Sequence, residues 1–94
     1  MIKVRWPIGT ARQVHTIVAY VRRYDVRAAD DISTRLFALV ESLKTFPHRG
    51  RHAGEGLRQM TGVPPYGLTY EVTGDEVVIL DVRHGRRRPY RQRG

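Results

Sequence analysis

The chain has 94 residues, no cysteine and a net charge of +8 at pH 7, with a sequence pI near 10.8. That length allows one small domain, and the lack of cysteine excludes a disulfide framework and thiolate zinc sites. No apolar run is long enough to span a bilayer and MIKVRWPIG lacks the apolar core of a signal peptide, so a cytoplasmic protein with no membrane partner is expected.

The first predicted element is a strand. In IKVRW, Ile2 to Trp6, apolar and basic residues alternate until Pro7 closes the run. Thr10 then suits a helix N-cap. Val14, Ile17, Val18 and Val21 follow at i, i+3, i+4 and i+7, the spacing of an amphipathic helix. His15 falls between apolar positions and reads as a boundary residue. A second helix is predicted from about Val26 to Phe46, capped by Asp25, with Ala29, Ile32, Leu36, Leu39, Val40 and Leu43 as its apolar stripe. The short Tyr24–Asp25 joint makes the two helices an antiparallel hairpin.

Pro47 ends the second helix, and PHRGRHAGEG, which has no periodicity, reads as a loop. LRQM suits a short strand. In YGLTYEV, Tyr66, Leu68, Tyr70 and Val72 share one face. TGD at 73–75 is hairpin-turn chemistry, and VVILDV follows as an apolar central strand. The expected class is therefore α+β: an N-terminal strand, a two-helix hairpin, then a three-stranded antiparallel β-meander. Residues 1–94 are expected to form one domain, with 89–94 expected to be a flexible basic tail. The expected core is Ile17, Val21, Ile32, Leu36, Leu39, Leu43, Leu68, Val78, Leu80 and Val82.

The charge is uneven. From Arg83 onward there are six arginines and His84 but no acid. Strict alternation along the last strand puts Val78, Leu80, Val82 and His84 on one face, with Val77, Ile79, Asp81 and Arg83 on the other. Arg83 and His84 would then be held rigidly by the strand, and Gly85 would redirect the chain. An arginine beside a histidine suits RNA cleavage, since one stabilises phosphate charge and the other exchanges protons near neutrality. The plainer reading is that His84 caps a strand and the arginines solvate the terminus. Candidate catalytic residues are thus His84, Arg83 and Arg86. Candidate target-binding residues are Arg49, Arg51, Arg58, Arg83, Arg86, Arg87, Arg88 and Tyr90, the tyrosine being suited to stacking on an unpaired base.

His48 and His52 have an i, i+4 spacing, but Pro47 and Gly50 argue against the helix that metal ligation would need, so no metal site is expected. GRHAGEG lacks the strand–loop–helix context and the lysine of a phosphate-cradling loop, and no cofactor is expected. For Arg58, an ion pair to Glu55 or Glu71 is the structural alternative to a place on the basic surface.

Taken in order, IVAYVRRYDVRAADDISTRLFALVESLKTFPHRGR, then LRQM and PPYGLTYEV, then VVILDVRHGRRRPY make the chain resemble the RelE/ParE superfamily of type II toxin–antitoxin toxins. The resemblance covers most of the chain. It implies a toxin neutralised by a cognate antitoxin in a hetero-oligomer, acting on DNA gyrase if ParE-like or on ribosome-bound mRNA if RelE-like. The AYV and AAD segments of the hairpin look ParE-like. PYGLTYEV has Gly67 where the RelE-like pattern carries an arginine, whereas Arg83, His84, Arg86 and Tyr90 lie where nuclease branches place working residues. A passive nucleic-acid-binding module is a third reading of the same basic surface.

Overall fold

A computed structural model describes residues 2–84. Seven elements follow in order: β1 (Lys3–Arg5), α1 (Ile8–Arg22), α2 (Val26–Ser42), β2 (Arg51–Gly54), β3 (Leu57–Val63), β4 (Tyr66–Thr73) and β5 (Glu76–His84). The strands form one sheet in the order β1-β5-β4-β3-β2. β1 runs parallel to β5, and every other neighbour is antiparallel. The α+β class and the element order are as the sequence implies. The meander, however, has four strands, because part of the aperiodic PHRGRHAGEG segment forms β2. This edge strand is short, charged and bulged after His52, features that mark an edge protected from further pairing rather than an amphipathic strand. The expected tail at 89–94 lies outside the described residues.

Helix boundaries follow local chemistry. Asp25 caps α2 as expected, its Oδ1 accepting the Ala28 N–H at 3.0 Å. α2 ends at Ser42, earlier than expected, and single turns carry the chain to Pro47. α1 begins before Thr10: Pro7 occupies the N-cap position. Thr10 is instead buried, and its hydroxyl donates to the Ile79 carbonyl at 2.6 Å. A predicted cap is thus a tie between helix and sheet.

The main core lies between α2 and one sheet face. Val40 and Leu43 meet Leu68, Tyr70, Val77, Ile79 and Val82 there, with Ile2, Val4, Trp6, Val14, Ile17 and Leu39 packed around them. Leu36 is also buried, whereas Ile17, Val21 and Ile32 are only partly so. β5 departs from strict alternation. Thr69 pairs with Asp81 and Tyr70 with Ile79, leaving Leu80 as an extra residue. That bulge shifts the strand's phase by one. Val77 and Ile79 therefore share the core cluster with Val82, Val78 is buried outside it, and Leu80 is only half-buried. At the other edge, the buried Gly50 N–H donates to the Tyr70 hydroxyl at 2.9 Å. A Cβ on Gly50 would stand 2.7 Å from that oxygen, so only glycine fits.

Candidate functional site at the end of the last strand

β1 covers β5 only as far as Val78. Beyond it, the backbone on that side of β5 needs other partners, because a buried N–H or C=O without one is costly. Side chains of α1 supply them. Thr10 takes the Ile79 carbonyl. Gln13 Oε1 accepts the Val82 N–H at 3.1 Å, while its Nε2 donates to Asp81 Oδ1 at 2.9 Å. α1 is thereby laid along β5 and continues past the end of the sheet.

Asp81 is 3% exposed and holds the arginine next along the strand. Arg83 Nε donates to its Oδ2 at 2.5 Å and Nη2 to its Oδ1 at 3.1 Å. Such two-point pairing of a planar guanidinium with a carboxylate fixes both distance and orientation. Asp81 and Arg83 stand opposite Thr69 and Gly67, whereas His84 stands opposite Tyr66. The His84 and Tyr66 rings meet edge to face, with centroids 5.8 Å apart and planes at 80°. Arg83 and His84 do extend a strand as expected. Between the projecting helix and this strand end lies a cleft of about 940 Å³, with Arg12, Thr16 and Tyr20 on the helix wall and Tyr66, Arg83 and His84 on the sheet wall.

The candidate residues Arg49, Arg51 and Arg58 do not join this site. Arg51 is exposed on the edge strand β2, three strand spacings or about 14 Å across the sheet from β5. Arg49 donates to Ser42 Oγ at 2.7 Å at the end of α2. Arg58 pairs with neither Glu55 nor Glu71. Its Nη1 donates to the carbonyls of His48 at 3.1 Å and Gly50 at 2.8 Å, pinning the loop after α2. His48 and His52 are both exposed. Arg86, Arg87, Arg88 and Tyr90 lie outside the described residues. Gln13, Asp81, Arg12 and Tyr20 were not singled out in the sequence. Gln13 alone carried a signal, as a polar residue three positions after Thr10 and four before Ile17 on the apolar side of the helix.

Residues 4–89 match the family described as the ParE toxin of the type II toxin–antitoxin system, parDE. This chain belongs to the ParE toxin family. Toxin RelE2 of Caulobacter vibrioides is 33% identical over 87 residues, covering 93% of this chain and 99% of that protein. Putative toxin Y4kP of Sinorhizobium fredii is 30% identical over 84 residues, covering 87% of this chain and 86% of its own. In fold, the ParE-family chain matches a solved chain from the chromosomal ParDE toxin–antitoxin system of P. aeruginosa. The TM-score is 0.76 at 20% identity, over 89% of this chain and 96% of that one. As a type II toxin of the ParE/RelE group, it has a cognate antitoxin as its implied partner. No helix among the described residues is long and apolar enough to cross a membrane.

Proposed function

We propose that this ParE-family toxin arrests growth by binding a target protein, DNA gyrase, without chemistry of its own. The observation that carries this reading is the state of Arg83. Its guanidinium is tied at two points to a buried carboxylate, and the residue opposite it on β4 is Gly67, not a second arginine. A nuclease of the RelE-like type needs several cations converging on phosphate. The match to the ParE model supports the same branch. An acidic, amphipathic segment of the antitoxin covers the basic surface and neutralises the toxin.

Purified toxin should inhibit supercoiling by gyrase, and His84→Gln should leave that inhibition intact. Cleavage of ribosome-bound transcripts that disappears in His84→Gln, with gyrase unaffected, would replace this reading with the nuclease. The nuclease keeps one supporting observation, since His84 is set against Tyr66 at the cleft rim beside Arg83. Should inhibition survive His84→Gln but vanish in Arg83→Ala with Arg86→Ala, the strand end binds rather than cuts. Co-expression with the adjacent antitoxin gene should restore growth through a physical complex. A chain harmless in several bacterial hosts would remove the toxin reading altogether.

A further inference from the structure

The sequence directs attention to the arginines at the C-terminus, but the structure displays a second basic surface on α1. From Ile8 to Tyr24 there is no acidic residue. Thr10 and Gln13 face β5 through their hydrogen bonds, which orients the rest of the helix. Arg12, His15, Ala19 and Arg23 then recur at i, i+3, i+7 and i+11 along one side of the helix, Arg12 at the cleft end, and all four are exposed. The stripe spans about 16 Å at 1.5 Å per residue. Among the described residues no carboxylate pairs with Arg12 or Arg23. The neighbouring Arg22 is held at the margin by Asp30 of α2 at 2.8 Å. Arg12 also forms a wall of the cleft whose other rim is Arg83 and His84, so the basic surface continues from the helix onto the sheet.

We propose that this exposed side of α1 is a contact surface for the sugar–phosphate backbone of duplex DNA. The stripe is held on one helix, with a shallow depression bordered by His15, Ala19 and Arg23. Its central position is the small Ala19, which lets a polymer approach closely, and the ring at its end, Tyr24, is engaged by the Arg23 guanidinium at 6.0 Å and edge-on by Tyr20 at 5.3 Å. Tyr20 lies to the side, on the cleft wall. Guanidinium groups along a helix, with the adjoining ring already engaged by its neighbours, suit phosphate contact more than capture of unpaired bases. Duplex DNA carries one charge per about 1.7 Å of axis, so a stripe of this length meets a dense row of phosphates. The acids lie elsewhere: Asp25, Asp30, Asp31 and Glu41 on or capping α2, Glu55, Glu71, Asp75 and Glu76 towards the opposite end of the sheet, and Asp81 buried. This surface stands apart from the gyrase reading, since the contact is with DNA itself.

The test is fluorescence anisotropy of a labelled DNA duplex of arbitrary sequence, titrated with the full-length toxin over a series of salt concentrations without gyrase. The logarithm of affinity should fall linearly with the logarithm of salt. Arg12→Gln with Arg23→Gln should weaken binding and flatten that slope by about one unit per arginine removed. Arg27→Gln with Arg51→Gln removes the same charge off the stripe and should leave the slope near that of the parent. Equal losses in the two double variants would overturn the proposal, because net charge alone would then explain binding. Unchanged binding in the stripe variant would overturn it too. So would a single strand binding more tightly than the duplex, or displacement by polyglutamate as effective as by unlabelled duplex, which would assign the face to an acidic protein. The unfolding midpoint of each variant should match that of the parent, as these side chains are exposed.

Discussion

The two helices are fastened to the same sheet by different means. α2 lies on the middle of the sheet through apolar side chains: Leu36, Val40 and Leu43 are each at most 3% exposed. α1 runs along one side of β5, and its single fully buried residue is a threonine. Hydrogen bonds from Thr10 and Gln13 replace the strand that β1 is too short to provide. Apolar burial is strong and insensitive to direction, whereas a hydrogen bond contributes less but sets an angle. The fold's stability therefore sits mainly on the α2 side. α1 adds to the main core only the partly buried Val14 and Ile17, and its opposite side stays exposed.

The contrast is broken or sharpened by three substitutions, each read as unfolding free energy from denaturant titration. Leu36→Ala should cost about 2–5 kcal/mol, the range for a buried leucine that leaves a cavity. A near-neutral result would mean that α2 is not the anchored helix. Tyr70→Phe should cost about 1–3 kcal/mol, because it leaves the buried Gly50 N–H without its acceptor. A loss below that range would show that water reaches Gly50 and that this edge of the core is not dry. Gln13→Leu should have the smallest effect, about 0.5–1.5 kcal/mol, since its site is only partly buried. Hydrogen exchange should reveal it locally: the Val82 amide should exchange faster, while amides of β4 keep their protection. If Gln13→Leu costs as much as Leu36→Ala, the two sides are equally anchored and the comparison fails.

The same seam carries the functional argument. Gln13 and Asp81 set the place of Arg83, and the overhang of α1 creates the cleft. A gyrase-binding toxin and an RNA-cutting toxin would use that overhang differently, one as a surface and the other as the wall of a catalytic cleft. Arg83 paired to a buried carboxylate is better suited to the first.

Local chemistry and periodicity were enough, in the sequence itself, for the order of the elements, the Asp25 cap, the apolar stripe of α2, the single face of Tyr66, Leu68, Tyr70 and Val72, and the turn at Gly74. Each depends on residues within a few positions of one another, and spacing of 3.6 or 2 records such relations directly. The resemblance to the toxin superfamily was legible for a related reason, since it rests on short motifs in a set order. Contacts between residues about 70 positions apart leave no such trace. Thr10 looked like a cap because a hydroxyl near a helix start usually is one, and only the carbonyl of Ile79 beside it shows otherwise. The bulge at Leu80 arises from the pairing of two strands, so no pattern along β5 alone could show which face Val82 and Asp81 would take. Arg58 looked like a surface cation until the folded loop placed two carbonyls around it. Whether a polar side chain meets solvent, a target or its own backbone depends on which distant segment the fold brings alongside, and that was decided only by tertiary structure.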